Sequence, residues 1–318
     1  MSDSEFTSPP VTTPSRRVSN RLALMHNANP KYKRLAEKSL VYKEISNRKV
    51  NTFSRLYDSI QLIKSKLLPA QLQLFSETVF GKFLHAKEIT CCGQLLHLLL
   101  GNLVELDDCE KDGSSGFHFE IENRLISFSV SEFTEILGLR FDDHFESNPP
   151  AITERGVIWT NYFPTRKTRV FRSDIKNLFK TLEKGQLPND DIVKLSLLFV
   201  LSHAFLAADG QVSLNKHYIN LVDNLENFNS YPWGSVIWAD MINYFKAGVD
   251  SMISNKHYNV YSCVMALQVW AYEVFPALKE THITELVDTN AYPLILRWSS
   301  TSRPSSACLK RIIFSNPH

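Results

Sequence analysis

Glycine-rich nucleotide-binding loops, long apolar runs and cysteine pairs with the Cys-x2-4-Cys spacing are all missing from this sequence of 318 residues. No Walker-type loop and no Gly-x-Gly-x-x-Gly motif occurs, so nucleotide binding has no support. The longest apolar stretch, from Leu195 to Ala208, is 14 residues long and includes Ser and His. It is too short to cross a bilayer. We therefore expect no membrane insertion, and we interpret the stretch as a buried core helix.

Cysteine is scarce, and its spacing is not that of a small disulfide scaffold. The five cysteines are Cys91, Cys92, Cys109, Cys263 and Cys308. An odd number favours free thiols, and the acidic, polar start of the sequence is unlike a secretory signal. The pattern predicts a reducing compartment, which means the nucleus or the cytoplasm.

One group of residues has the right types to bind a metal but not the right spacing. Its members are Cys91, Cys92, His97, Cys109 and His118. Structural zinc sites favour Cys-x2-4-Cys pairs, which adjacent cysteines do not provide. We expect buried or incidental thiols here, no metal and no cofactor.

Positive charge is concentrated near the start of the sequence. Residues 1–66 contain 13 Lys and Arg against 5 Asp and Glu, whereas the remainder contains 22 against 28. Residues 1–28 are rich in Ser, Thr, Pro and Arg, so we expect a disordered basic arm. Candidate contacts to phosphates or to an import receptor are Arg16, Arg17, Lys31, Lys33 and Arg34. The wider basic segment adds Arg21, Lys38, Lys43, Arg48 and Lys49. The alternative is a solvated basic helix over residues 31–45 without a ligand.

Apolar periodicity predicts a mainly α fold, a multi-helix globular domain over residues 29–298 with one small antiparallel β-hairpin. The hairpin falls near Phe117 to Phe128. Ser129 and Glu132 have the spacing of a capping box, and Gly138 is placed to end the helix that follows. An internal subdivision, if present, falls near residues 140–170, and we expect residues 299–318 to form a tail of low order.

Glu273 is the one charged residue in an otherwise apolar helical segment from Val264 to Phe275. A buried carboxylate needs a partner or a raised pKa. We expect a structural role in the core, with Arg297 as the ion-pair partner. The alternative is a functional carboxylate.

Several segments resemble a known family. They are VFGKFL (79–84), RLISFSVSEFTEILGL (124–139), KLSLLFVL (194–201), the stretch 223–234 ending in YPWG, and ALQVWAYEVFP (266–276). Together they resemble a plant-specific domain of uncharacterised function, which precedes SUMO-type cysteine peptidase domains in proteins derived from Mutator-like transposons. The resemblance extends over roughly residues 55–300, and the chain is also distantly similar to the plant mobile domain of transposon origin.

The resemblance implies a companion domain, because the residues of a peptidase are not in place. A cysteine peptidase needs a thiolate paired with an oriented His, and no cysteine here follows the His, Asp and Gln series of the SUMO-type enzymes. We expect a non-enzymatic interaction or targeting domain with a protein partner and no small-molecule substrate. The first alternative is a nucleic-acid-binding protein that uses the basic N-terminal segment. The second is an enzyme built around Glu273.

Overall fold

The computed structural model describes residues 32–34, 48–106, 116–122, 124–145 and 154–314. About 54% of these residues are helical and 13% are in strands. The helices are α1 Leu56–Lys66, α2 Pro69–Ser76, α3 Gly93–Gly101, α4 Val130–Leu137, α5 Val157–Tyr162, α6 Arg172–Thr181, α7 Asn189–Val200, α8 Lys216–Leu221, α9 Leu225–Ser230, α10 Trp233–Ser254, α11 Val264–Val274, α12 Ala277–Glu280 and α13 Ser306–Phe314. The strands are β1 Tyr32–Arg34, β2 Lys49–Thr52, β3 Leu103–Leu106, β4 Gly116–Ile121, β5 Arg124–Ser129, β6 His257–Val260, β7 Glu285–Leu286 and β8 Trp298–Ser299.

The strands form three small sheets within the described residues. The largest has the order β1-β3-β4-β5 and is antiparallel throughout. A parallel pair joins β2 to β6, and an antiparallel pair joins β7 to β8. The prediction of a mainly α fold with a single hairpin was therefore wrong, because the fold is mixed α/β. The hairpin from Phe117 to Phe128 exists, but it forms half of a four-stranded sheet.

The missed strands have a common physical cause. Strand β3 follows α3 within one apolar run, where periodicity alone does not distinguish a helix from a buried strand. Strands β2 and β6 are four residues long and pair across about 200 positions, as in Asn51 with Asn259. The predicted helix over residues 31–45 was wrong at Tyr32–Arg34, which form β1 beside β3. Residues 35–45 lie outside the described residues.

The capping signals around α4 are confirmed. The Ser129 backbone N–H donates to the Glu132 carboxylate at 2.9 Å, and the Ser129 hydroxyl contacts the same carboxylate. At the other end Gly138 has a φ of 60°, and its N–H donates to the Thr134 carbonyl at 2.7 Å. A glycine adopts this left-handed conformation without steric cost, which ends the helix.

The hydrophobic core is one contiguous cluster that extends from Leu56 to Ile313. Helix α7 crosses it and continues into a π-helical turn at Leu201–Phe205. Around Trp238 the rings of Phe117, Phe128 and Phe133 lie with centroids 5.1–5.9 Å away. No helix among the described residues is long and apolar enough to cross a membrane.

The end of the chain adds to this core. The sequence indicated little order for residues 299–318, but Ser306–Phe314 form α13. Leu309, Ile312 and Ile313 are buried against the rest of the protein. Segment 300–305 thereby lies close to α3, which brings Arg303 to the site described next.

Candidate functional site

A cleft of about 1040 Å³ lies between four parts of the chain: β2 with the residues after it, the turn before α3, the exposed face of α6, and the segment before α13. Its cationic lining residues are Lys49, Arg55, Arg172, Lys176, Lys180 and Arg303. None of the described residues that line the cleft is Asp or Glu. The cleft is therefore a concave surface of one charge sign, in a chain whose net charge is only +2.

Helix α6 presents its charged face to the cleft because its apolar face is buried. Ile175 and Phe179 are buried on the core side, whereas Lys176 and Lys180 are exposed. Residues four apart lie on the same side of a helix, about 6 Å apart along its axis. The first-turn acid Asp174 does not line the cleft, since it accepts the Phe171 N–H at 2.9 Å and pairs with Arg166 at 2.6 Å.

The opposite wall is formed by β2 and the residues that follow it. Lys49 and Arg55 are both exposed there. The Arg55 Nη1 donates to the Ser54 carbonyl at 2.9 Å, and the buried Ser54 hydroxyl donates to the Ala204 carbonyl at 2.6 Å. These bonds tie the wall to the π-helical turn of the core. A Cβ at Gly93 would lie 2.9 Å from the Val50 carbonyl oxygen, so the close approach of α3 to β2 depends on glycine.

Arg172 differs from the other cations because its guanidinium is buried and donates hydrogen bonds to carbonyl groups of the chain. Its Nε and Nη2 donate to the Leu206 carbonyl at 2.9 and 2.6 Å, and its Nη1 donates to the Val212 and Ser213 carbonyls at 3.0 Å. Burial lowers its pKa, and the charge of Asp240 acts in the opposite direction. Arg172 therefore holds the start of α6 against the loop that follows the π-helical turn.

His203 also lines the cleft, but it carries no charge at neutral pH. Its ring stacks on Phe199 with centroids 4.6 Å apart, and its Nδ1 lies 3.0 Å from the Phe199 carbonyl oxygen. Burial lowers its pKa to about 4, and nearby cations such as Lys176 lower it further, although the contact with Phe199 favours the charged form.

Two cysteines lie at the inner end of the cleft. Burial raises the pKa of Cys91 to about 11, despite the opposing effects of Thr52 and Arg55. Burial also raises the pKa of Cys92, although the backbone amides at the start of α3 stabilise its thiolate. Both side chains are therefore protonated thiols at neutral pH. A thiol in this state is a weak nucleophile.

The buried side chain of Gln268 fixes this inner end. Its Oε1 accepts the Cys92 N–H at 2.8 Å, and its Nε2 donates to the Thr90 carbonyl at 2.9 Å. Helix α11, which carries Gln268, belongs to the core. The position of residues 90–92, and with it one end of the cleft, is consequently set by the core.

The two histidines among the candidate metal ligands form hydrogen bonds with other side chains. His97 Nδ1 lies 2.8 Å from the Tyr258 hydroxyl, and His118 Nδ1 lies 2.8 Å from the Ser127 hydroxyl. Cys109 lies outside the described residues. Across the described ranges, no group of three or more His, Cys, Asp or Glu side chains has the proximity that a metal ion requires.

Of the residues proposed from the sequence as phosphate or receptor contacts, Lys49 is one of the cations of the cleft. Lys33 and Arg34 lie in β1, opposite Glu105 and Val104 of β3. Arg16, Arg17 and Lys31 lie outside the described residues. Sequence reasoning missed Arg55, Lys176, Lys180 and Arg303. The pair of lysines four apart on α6 was the one local signal, since nothing in the sequence places Arg303 beside them.

Glu273 has a different partner from the one expected. The Trp298 indole Nε1 donates to Glu273 Oε1 at 2.6 Å, across a site that is half-buried. Arg297 instead donates from its Nε to the Ala291 carbonyl at 2.7 Å. The predicted Glu273–Arg297 ion pair is therefore not formed, and Glu273 links α11 to β8.

Comparison with known proteins gives one match. A family model described as a domain of unknown function, DUF1985, matches residues 108–243. That part of the chain is similar to a family whose function is not known. No curated protein matches the chain, and no solved structure does. The matched residues include α6, His203 and Gly210 from the cleft, whereas Lys49, Arg55 and Arg303 come from outside the match.

Proposed function

We propose that this chain binds nucleic acid through the phosphate backbone, in the basic cleft. The observation that carries the proposal is the set of six cationic side chains converging on one cleft, with no carboxylate among its described lining residues. Binding of such a surface to a polyanion is driven largely by the release of condensed counterions. The like charges of the cleft repel one another, and a bound ligand of opposite charge neutralises that repulsion.

The exposed cations of the cleft are available for a ligand. Within the described ranges, ion pairing occupies none of Lys49, Arg55, Lys176, Lys180 and Arg303. Uncharged polar side chains lie between them, including Asn51, Thr52, Ser173 and Asn177. Hydroxyl and amide groups of this kind contact phosphate and sugar oxygens in protein–nucleic acid complexes. The cleft thus combines charge with hydrogen-bonding groups.

The side chains of the cleft are better suited to binding a ligand than to catalysis. Its thiols are protonated and its imidazole is neutral at neutral pH. An activated nucleophile needs a lowered pKa or an adjacent base. We therefore keep the prediction that the protein is not an enzyme, and we expect no labelling by a SUMO-derived electrophilic probe. Covalent labelling that disappears on mutation of one cysteine would contradict this prediction.

The proposal is tested by measuring the affinity for a labelled oligonucleotide across a salt series. Affinity should fall steeply with salt, and each lysine that contacts a phosphate should contribute about 1 to the log–log slope. We expect the double variant Lys176→Ala/Lys180→Ala to weaken binding and to lower the slope by about 2. The matched control is Lys216→Ala/Lys279→Ala, which removes two exposed lysines outside the cleft.

Two results would contradict the proposal. One is binding that does not depend on salt. The other is an equal loss of affinity in the two double variants, which would show that overall charge matters and the cleft does not. Deleting residues 1–31 tests the separate contribution of the arm that contains Arg16, Arg17 and Lys31. If the arm is the only binding element, the deletion abolishes binding and the α6 variant leaves it unchanged.

From the resemblance to the plant transposon-associated domain we propose a second role, an interaction or targeting domain that accompanies a SUMO-type peptidase in the nucleus. The match at residues 108–243 lies within the part of the chain that carries the resemblance, and the function of the matched family is not known. A separately produced SUMO-type peptidase domain should then co-elute with this chain as a complex of defined stoichiometry. Independent elution of the two proteins at micromolar concentration would contradict this role.

A further inference from the structure

We infer that the ligand of the basic cleft is a single strand of nucleic acid and not a duplex. The inference rests on the proposed function and specifies its ligand. It follows from the shape of the cleft, from the arrangement of cations on α6 and from one aromatic side chain among them.

The cations lie around a concave space, not on a ridge or a flat face. Lys49 and Arg55 come from one wall, Lys176 and Lys180 from α6, and Arg303 from the segment before α13. A duplex is commonly read by a helix or ribbon inserted into its major groove, which is about 12 Å wide. The cleft volume of about 1040 Å³ is slightly above the roughly 300–1,000 Å³ range of pockets that enclose small ligands. That space suits a few nucleotides of one strand.

Helix α6 provides a track for the backbone of that strand. Lys176 and Lys180 are separated by about 6 Å along the helix axis, so successive phosphates of an extended strand can each meet an ammonium group. Ser173 and Asn177 lie one turn apart on the same wall and offer a hydroxyl and an amide. A charged groove that follows one backbone is the usual design of proteins that bind single strands.

Phe53 supplies a surface on which a base can stack. It lines the cleft and is half-buried. It packs against Tyr261 in a tilted arrangement, with ring centroids 5.0 Å apart, and Tyr261 in turn meets Tyr244 at 5.2 Å. The ring is therefore held in place while part of it faces the cleft. Bases stack on such rings when they are unpaired, which a duplex does not allow.

The test compares a labelled 12-nucleotide strand of mixed sequence with the same strand paired to its complement, at one salt concentration, using the full chain. We expect the wild-type protein to bind the single strand at least about tenfold more tightly. Phe53→Ala should weaken single-strand binding about tenfold while leaving duplex binding and the salt slope unchanged. Phe53→Trp keeps an aromatic ring and should retain the wild-type affinity.

Each outcome decides the inference. Equal or tighter binding of the duplex overturns it, and so does unchanged single-strand affinity in a folded Phe53→Ala variant. If both ligands bind equally, with the salt and Lys176/Lys180 dependence described above, the proposed function stands and the single-strand inference fails. If neither ligand binds, both fail. If Phe53→Ala does not fold, the comparison of single-strand and duplex affinity in the wild-type protein still tests the inference.

Discussion

The aromatic core around Trp238 and the basic cleft beside α6 have opposite relations to water. In the core, the rings of Phe117, Phe128 and Phe133 surround Trp238, and all four side chains are buried. In the cleft, Lys176 and Lys180 are exposed. Burial of apolar area stabilises the fold, whereas clustered like charges do not. The comparison separates the residues that the fold requires from those that the proposed binding function requires.

Arg172 belongs to both regions and shows that charge alone does not define the site. It has the same formal charge as Lys176 and lines the same cleft, but its hydrogen bonds go to the buried Leu206 carbonyl and to the partly buried Val212 and Ser213 carbonyls. Arg172 therefore acts as part of the core, whereas the exposed cations form the proposed binding surface. Mutations in each group should consequently have different effects.

The largest effect is expected from a charge placed in the core. Leu198 is fully buried in α7, and Leu198→Asp leaves a carboxylate there without a partner. We expect a loss of more than about 4 kcal/mol in the free energy of unfolding. Urea unfolding followed by circular dichroism measures it. Near-normal stability of this variant would show that α7 is peripheral, and Leu198→Met is the volume-conserving control.

The next effect concerns Arg172. Arg172→Met keeps much of the aliphatic volume but removes the donors to the Leu206, Val212 and Ser213 carbonyls. Leaving buried acceptors unsatisfied costs about 1–3 kcal/mol each when no water replaces the donor. We expect a total loss of about 3 kcal/mol and weaker oligonucleotide binding, because α6 loses its anchor. A variant with unchanged stability would contradict the structural role of this side chain.

A stabilising change is expected at Asp240, together with a defined pH dependence. Its Oδ2 is buried without a hydrogen-bond partner among the described residues. Burial raises its pKa to about 6, although the nearby Ser262 hydroxyl and the charge of Arg172 oppose the shift. In the unfolded chain an Asp titrates near about 3.9. Between these two pH values the folded state binds a proton that the unfolded state does not, so this group adds stability as the pH falls from 7 to 4.

Asp240→Asn should therefore be more stable than the parent at pH 7.5, by about 2 kcal/mol. The difference should shrink through pH 6 and disappear near pH 4, where the parent carboxyl is also neutral. His203 contributes in the opposite direction, because its pKa is lowered to about 4, but it is present in both proteins and cancels in the difference. Thermal unfolding of the two proteins at pH 7.5, 6.0 and 4.5 checks this. A difference that does not change with pH would contradict the assignment.

The two lysines of α6 should have the smallest effect on stability and the largest effect on binding. Lys176→Ala/Lys180→Ala changes exposed side chains that have no partner among the described residues, and it should alter the free energy of unfolding by less than about 0.5 kcal/mol per residue. A double variant that unfolds several degrees below the parent would show that the two lysines contribute to the stability of the fold. The cleft cations would then not differ from the core residues in the way described above.

Local features of the fold were predictable from the sequence, and long-range ones were not. The capping box at Ser129 and the stop at Gly138 depend on neighbouring residues, so their spacing identifies them. The pairing of β2 with β6, by contrast, depends on tertiary packing between segments that are each too short to carry a periodic signal. The cleft could not be predicted from the sequence for the same reason. Lys49, Lys176 and Arg303 are far apart in the sequence, and only the core brings them together.

The charge balance of the sequence pointed to the N-terminal segment, because the excess of Lys and Arg is greatest there. A count along the chain does not show how charges are distributed in space. The part after residue 66 is acidic overall, with 22 Lys and Arg against 28 Asp and Glu. It nevertheless contributes Lys176, Lys180 and Arg303 to the cleft, because acidic side chains such as Asp174 and Asp191 are bonded elsewhere.

The central claim is that the cleft, and not the basic arm, holds the nucleic acid. Ultraviolet cross-linking of the full chain to a photoreactive single-stranded oligonucleotide, followed by peptide mass spectrometry, tests it most directly. Cross-linked peptides should contain residues 49–55 and 173–180, and competition with unlabelled single strand should remove them. Cross-links confined to residues 1–31, or spread evenly over the surface lysines, would contradict the claim.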